Sequence, residues 1–376
     1  MHRSLYEAIV EAKDRISKAL RREERPAYDP PWERLEAGGD VESVVAVDGS
    51  VNQSNRTSHT IFALTGLSIL FNANGEPDES AVSYVGALDR GVFRRKRLAD
   101  VLTTWMSLAE LRSLLKMDLP PRTLVLMDGS FVSDVINPKP TRNWLNLPVS
   151  DEEREQMDAL EDELGGMDLY NRLVEEFDTY DFVAPNLLST VAQFYPARGY
   201  RYLALALLLH RERLEAMRRL ISRGYRLLFV SKDSSSQDYI RHHNLSGIYS
   251  DQVLFSLFTR GRGFAPPLKI DLSQQKYKLS GDDEDEDSYS DILETELYQT
   301  FVRLSEDYPV AYKVEFIGVD EREIPDVLSL LATLSPGGYP LPLEKVHREV
   351  VITYGDMELI SQVVVPIELN LREMLR

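Results

Sequence analysis

Apolar residues spaced three to four apart at Leu5, Ile9, Ala12, Ile16 and Leu20 predict an amphipathic helix over 4–22, followed by a Pro-rich connector from Pro26 to Pro31. The pattern changes at Ser43. The run Ser43-Val-Val-Ala-Val47 is short, β-branched and uninterrupted, as in a strand buried on both faces, and it ends at Asp48-Gly49-Ser50. Two further β-rich runs follow, His59 to Leu70 and Ala81 to Ala87. Leu98, Val101, Leu102, Trp105, Leu108 and Leu115 then mark a helix of about five turns. After Pro120-Pro121, Thr123 to Met127 repeats the buried-strand pattern and again runs into Asp128-Gly129-Ser130.

Farther on, the patterning predicts a helix over 203–223, a strand from Arg226 to Ser231 and a polar turn, Lys232 to Ser236, opening a short helix. Next come a helix over 290–304, a strand from Val310 to Ile317, a helix over 321–334, a Gly/Pro-rich turn from Ser335 to Pro342, a helix over 343–352 and a mixed C-terminal segment. Strands alternating with helices predict the α/β class, with a mixed sheet flanked by helices. Residues 1–40 read as a helix and connector, and 41–376 as one domain. An acidic helical insertion is predicted at about 150–200, with eight Asp/Glu and one Arg between 151 and 163, and six consecutive acids at 282–287 predict a solvated loop at about 281–288.

Composition narrows the chemistry. With 43 Lys+Arg against 61 Asp+Glu the formal charge is −18, which argues against a surface that coats nucleic acid everywhere and leaves room for a local basic channel. No stretch has the ~20 consecutive apolar residues of a membrane span, and MHRSLYEAIVEAKDRI lacks an apolar signal core, so a cytoplasmic protein is expected. Zero cysteines exclude disulfides, Cys-ligated zinc, iron–sulfur clusters and a thiol nucleophile, leaving carboxylates and six histidines as metal ligands. Such a set selects a hard cation, Mg²⁺ or Mn²⁺.

Asp48, Glu110 and Asp128 form the first candidate set: two acids ending neighbouring strands and one on the helix between them. That order is the layout of the RNase H-like nuclease fold, in which carboxylates converging at strand ends hold one or two cations about a phosphodiester. Gly49 and Gly129 leave space beside each acid, and Ser50 and Ser130 are placed to hydrogen-bond the carboxylates. His347, on a short helix opened by Pro342, follows Tyr339 by eight residues, so both can face one pocket, the imidazole as metal ligand or proton shuttle and the phenol as phosphate donor. Lys232 is placed to contact the scissile phosphate. The cluster Arg94-Arg95-Lys96-Arg97, just before the Glu110 helix, is the strongest DNA-contact candidate, ahead of the Arg-rich stretch Arg211 to Arg226. Tyr195, Tyr200 and Tyr202, with Phe194 and Arg198, offer either a stacking platform for single strands or core and interface packing. His242-His243, His210, His59 and His2 read as surface residues. No G-x-x-x-x-G-K-[ST] loop is present, so ATP hydrolysis is not expected of this chain.

The whole resembles the NurA nuclease family. The resemblance covers roughly residues 40–355 and rests on VVAVDGSV at 44–51, LVLMDGSF at 124–131, FVSKDSSS at 229–236, YSDQVLF at 249–255, YPVAYKVEFIG at 308–318 and GYPLPLEKVHREV at 338–350, in that order. It implies an RNase H-like core and a manganese-dependent DNA nuclease, acting on single strands as endo- and exonuclease and on duplex ends 5′ to 3′. It further implies a homodimer that processes DNA ends in recombinational repair with a HerA-type hexameric ATPase. Asp48 and Asp128 match the family's metal-binding Asp motifs, Glu110 the helix acid, and Tyr339 and His347 the C-terminal motif. Asp251 matches the fourth motif, as a ligand or as a helix cap. The competing readings are a catalytically silent DNA-end clamp and an RNase H-like ribonuclease.

Overall fold

The structure is a computed structural model that describes residues 29–39, 43–72, 77–135, 140–165, 198–243, 250–272 and 290–364. The predicted opening helix, the acidic loop at 281–288, Phe194 and Tyr195 lie outside these residues.

Ten strands form one mixed sheet: β1 (Glu33–Arg34), β2 (Ser43–Asn55), β3 (His59–Asn72), β4 (Asp78–Asp89), β5 (Leu124–Asp128), β6 (Arg226–Ser231), β7 (Gly263–Phe264), β8 (Leu268–Ile270), β9 (Leu297–Arg303) and β10 (Tyr312–Ile317). The order is β1-β7-β9-β10-β6-β5-β2-β3-β4, with β8 paired to β9. β2, β3 and β4 are an antiparallel meander; β5 lies parallel to β2, with Val47 opposite Met127, and β6 parallel to β5. Both Asp-Gly-Ser turns therefore leave the same end of the sheet side by side.

Ten helices are described: α1 (Arg95–Leu115), α2 (Phe131–Val135), α3 (Asp151–Gly165), α4 (Arg198–Ser222), α5 (Asp238–His242), α6 (Asp251–Phe258), α7 (Ser290–Leu293), α8 (Ile324–Thr333), α9 (Leu341–Val350) and α10 (Tyr354–Val364). Side chains alternate along β2, so Val45 and Val47 pack with Trp105 and Leu108 of α1 and with α4 on one face. Val44 and Ala46 pack with Leu328 of α8 and Val346 of α9 on the other. Among the described residues no helix is long and apolar enough to cross a membrane.

The segment read as a helix over 290–304 is instead the one-turn α7 followed by β9. Every residue from Leu297 to Arg303 is buried between β10 and β8, and a strand covered on both faces shows no period-2 alternation to separate it from a buried helix. The acidic stretch after Ser150 forms α3, which sends Met157 and Leu160 into the main core. The mixed C-terminal segment contains α10, whose Met357 packs on Ile61 and Ala63 of β3.

Candidate metal centre

β2 and β5 set the frame. By the alternation that buries Val44 and Ala46 against α9, Asp48 also faces α9, where His347 Nδ1 shares a 2.7 Å hydrogen bond with Asp48 Oδ2. Gly49 N donates to Asp48 Oδ1 at 2.8 Å. One ligand atom each of Asp48, Asp128 and His347 lies within 4.8 Å of the other two. Burial pushes the Asp48 carboxyl up, the His347 hydrogen bond opposes this, and the Asp128 charge adds to it. A cation between the two acids relieves that repulsion, so the donor set of two carboxylates and an imidazole fits Mn²⁺ or Mg²⁺.

Lys232, at the end of β6, places Nζ 2.5 Å from Asp128 Oδ2 and 4.8 Å from the centre of the Tyr339 ring. The Tyr339 hydroxyl is buried with no hydrogen-bond partner among the described residues. Burial, reinforced by Asp128 and Asp48, pushes its phenol far above the usual tyrosine range. Tyr339 therefore stays protonated and keeps its O–H available to donate.

Glu110 comes from the opposite face. Its carboxylate lies over Gly49, where a Cβ would collide with it, and Gly49 stands directly across from Gly66 of β3, on which the α1 backbone at Ala109 rests. Burial, then the charges of Asp48, Asp134 and Asp128, push the Glu110 carboxyl well up. Glu110 thus joins the electrostatics of the centre without belonging to the compact trio.

Behind the trio is a buried polar layer that the sequence reading missed. Lys313 Nζ bonds Glu315 Oε1 at 2.6 Å and Ser130 Oγ at 3.0 Å, and Arg213, almost fully buried, pairs with Asp134 at 3.3 Å. The available signal was Lys313 and Glu315 at i and i+2 in β10, opposite charges on one face of a buried strand.

The structure corrects several expectations and decides others that were open. Ser50 and Ser130 do not brace the candidate ligands: Ser50 Oγ accepts from Ile352 N at 3.0 Å, and Ser130 Oγ donates to Glu315 at 3.0 Å. Asp251 is a structural cap, fully buried and accepting from the backbone N–H groups of Tyr239 and Ile240 and the hydroxyl of Ser236. His210 is buried, because α4 is covered almost all round by α1 and its other neighbours. Arg213 is tied to Asp134, Arg218 and Arg219 pair with Glu215, Arg223 and Arg226 bond backbone carbonyls, and Arg211 is buried, so this stretch supports the fold. Tyr202 is core and Tyr200 bonds Gln156, so neither is a stacking surface. Arg94, Arg95, Lys96 and Arg97 line a concavity of about 490 Å³ with Trp144, but they start α1, fifteen residues and about 22 Å from Glu110 at 1.5 Å per residue.

Comparison with known proteins agrees with this fold. The chain is 26% identical over 374 residues to the DNA double-strand break repair nuclease NurA of Sulfolobus acidocaldarius, covering 95% of this chain and 94% of that protein. It is 30% identical to the Sulfurisphaera tokodaii protein of the same name over 138 residues, 36% of this chain and 37% of that one. The crystal structure of the NurA nuclease from Sulfolobus solfataricus superposes with a TM-score of 0.63 at 21% identity, covering 97% of this chain and 96% of the other. A crystal structure of NurA bound to dAMP and manganese gives 0.62 at 17%, covering 97% and 95%. The NurA domain model matches residues 42–352, a span that holds both Asp-Gly-Ser turns, Glu110, Tyr339 and His347, and the chain belongs to the NurA family.

Proposed function

We propose that this chain is a divalent-metal-dependent DNA nuclease that processes DNA ends, with Asp48, Asp128 and His347 holding the metal and Glu110 completing the site from the opposite face. The observation that carries this reading is the convergence of those three ligand atoms within 4.8 Å at the ends of β2 and β5. Bound Mn²⁺ or Mg²⁺ supplies Lewis acidity toward the phosphate oxygens. Lys232 holds Asp128 in place and offers positive charge to the phosphate. Tyr339, kept protonated, donates a hydrogen bond to a phosphate oxygen, stronger as charge develops there. His347, anchored through Nδ1 to Asp48, keeps a fixed ring orientation for metal binding. Arg94, Arg95, Lys96 and Arg97 bind the DNA backbone. The family resemblance supports a homodimer working with a HerA-type ATPase in the cytoplasm.

The test is incubation with end-labelled single-stranded DNA, duplex DNA, RNA and an RNA–DNA hybrid in Mn²⁺, Mg²⁺ or EDTA. Metal-dependent DNA cleavage is expected. Cleavage confined to RNA or to RNA–DNA hybrids overturns the assignment in favour of a ribonuclease, and DNA binding without cleavage in any metal leaves only an end clamp.

A further inference from the structure

Past the metal centre, the sheet continues as three strands without β5, with α1 on one face and α10 on the other. β5 pairs with β2 only as far as Val47, whereas β3 follows β2 to Asn55 and β4 follows β3 to His59. The three strands form an arm that projects beyond Asp48 by seven residues, about 23 Å at strand rise.

The arm's tip is basic. Arg90 Nη1 donates to the Arg56 carbonyl at 3.3 Å, and its backbone N–H to that of Ser58 at 2.9 Å, closing the two chain reversals against each other. α4 begins at the same corner, with Arg198 and Arg201 3.2 and 3.9 Å from Asp89, whose other oxygen is 3.2 Å from His59. α1 begins there too: Arg97 pairs with Asp100 and stacks over Trp144, while Arg94, Arg95 and Lys96 are exposed and enter no ion pair among the described residues. Among the described residues eight Lys and Arg therefore gather at this corner, where Asp89 and Asp100 are paired and Glu152 and Glu153 of α3 act on Tyr200, on a chain of net charge −18. The bordering acidic helix α3 turns Asp158 and Glu161 to Arg142. At physiological salt the Debye length is about 8 Å, so this local excess, rather than the distant acidic body, sets the sign a phosphate meets.

Two independent rulers agree on the distance to the centre: about 23 Å along β2 from Asp48 and about 22 Å along α1 from Glu110. Resting on the nuclease reading above, we propose that the arm tip is a second backbone-binding platform, which grips DNA about seven duplex base pairs from the phosphodiester being cut, at 3.4 Å per pair. It extends the Arg94–Arg97 cluster to Arg56, Arg90, Arg198 and Arg201. Contacts of this kind are blind to sequence and depend steeply on salt.

The experiment is a fluorescence-anisotropy titration of labelled DNA duplexes of 4 to 20 base pairs in EDTA, across a salt series, for the intact protein, Arg90→Ala/Arg198→Ala and Arg90→Lys/Arg198→Lys. Affinity of the unaltered protein is expected to climb until the duplex passes about seven pairs. The alanine variant should lose that climb and lower the slope of log affinity against log salt by about two, near 0.9 per phosphate contact. The lysine variant should keep both. An unchanged slope in the alanine variant, or affinity already at its plateau in shorter duplexes, overturns the platform and leaves the nuclease reading standing. Equal losses in both variants overturn it as well, since guanidinium contacts within the fold, such as Arg90 Nη1 on the Arg56 carbonyl, rather than positive charge would then be what matters. No DNA binding by the unaltered protein at any length overturns both.

Discussion

Gly49 and Gly66 stand opposite each other in β2 and β3, and together they form the gap through which α1 reaches the end of the sheet that carries Asp48 and Asp128. The two glycines meet different atoms. A Cβ on Gly66 would strike the backbone of Ala109 and Glu110, which cannot yield without moving α1; one on Gly49 would strike only the Glu110 side chain, whose torsions can turn it aside. Gly66→Ala is therefore expected to lower stability by about 1–3 kcal/mol, as overpacking does. Gly49→Ala should fold with a near-normal melting temperature and lose cleavage. Denaturant melts and an end-labelled DNA assay on both variants check this, and full activity in Gly49→Ala would detach Glu110 from the mechanism.

Asp48→Ala or Asp128→Ala removes one of the convergent ligands and leaves a cation under-coordinated. Each variant should keep its fold by circular dichroism and lose Mn²⁺-dependent cleavage. Cleavage retained in either would refute its place as a ligand.

For Glu110, the nearly isosteric Glu110→Gln keeps the packing over Gly49 and removes the charge. A loss of at least ~10²-fold in turnover is expected, about 2.7 kcal/mol in the barrier. Stability should move the other way. Burial and the neighbouring acids raise the folded-state pKa of this carboxyl well above its ordinary value near 4.5. Its contribution is then fully present below pH 4.5 and is lost as pH rises through the raised value. In EDTA the protein should melt lower at pH 8 than at pH 5, and Glu110→Gln should shrink that difference. Equal pH dependence in the two proteins would show that Glu110 ionises freely.

Tyr339→Phe deletes a buried hydroxyl that has no partner among the described residues. Because such a group contributes nothing to the resting fold, thermal stability should be unchanged or slightly higher. Turnover should fall by about 10²-fold, the low end of the ~10²–10³ range for loss of one donor to a developing negative charge. A variant that melts earlier yet cleaves normally would reassign Tyr339 to packing.

Reversing Arg94, Arg95, Lys96 and Arg97 to Glu should weaken DNA binding and flatten its salt dependence, while the Mn²⁺ concentration for half-maximal activity stays put, since the cluster starts α1 about 22 Å from Glu110. An unchanged salt slope removes the cluster from the DNA path. Sedimentation of the unaltered protein at micromolar concentration should give a dimer, and a monomer would sink that part of the reading.

The short-range chemistry was legible in the chain itself. Two β-branched runs ending in Asp-Gly-Ser announced two buried strands with acids at their ends, and the meander and helix between them dictated that the strands lie parallel. The order of six motifs was enough to point to the family. β9 was not legible, because burial on both faces erases the alternation by which strands are recognised. Nor was the fate of the Arg-rich segment: one sequence pattern serves a solvated helix face and a helix wrapped by neighbours, and only the packing of α4 against α1 turned Arg213 inward to Asp134. What tertiary structure alone decided was which distant groups share a few ångströms. His347 meets Asp48 across 299 residues because α9 packs on the face of β2 to which Asp48 points. Glu110 reaches the same end from behind because glycines at 49 and 66, also neighbours only through strand register, leave it the space. Local pattern is written in neighbouring side chains; convergence depends on register and helix docking, which are settled by the whole core at once.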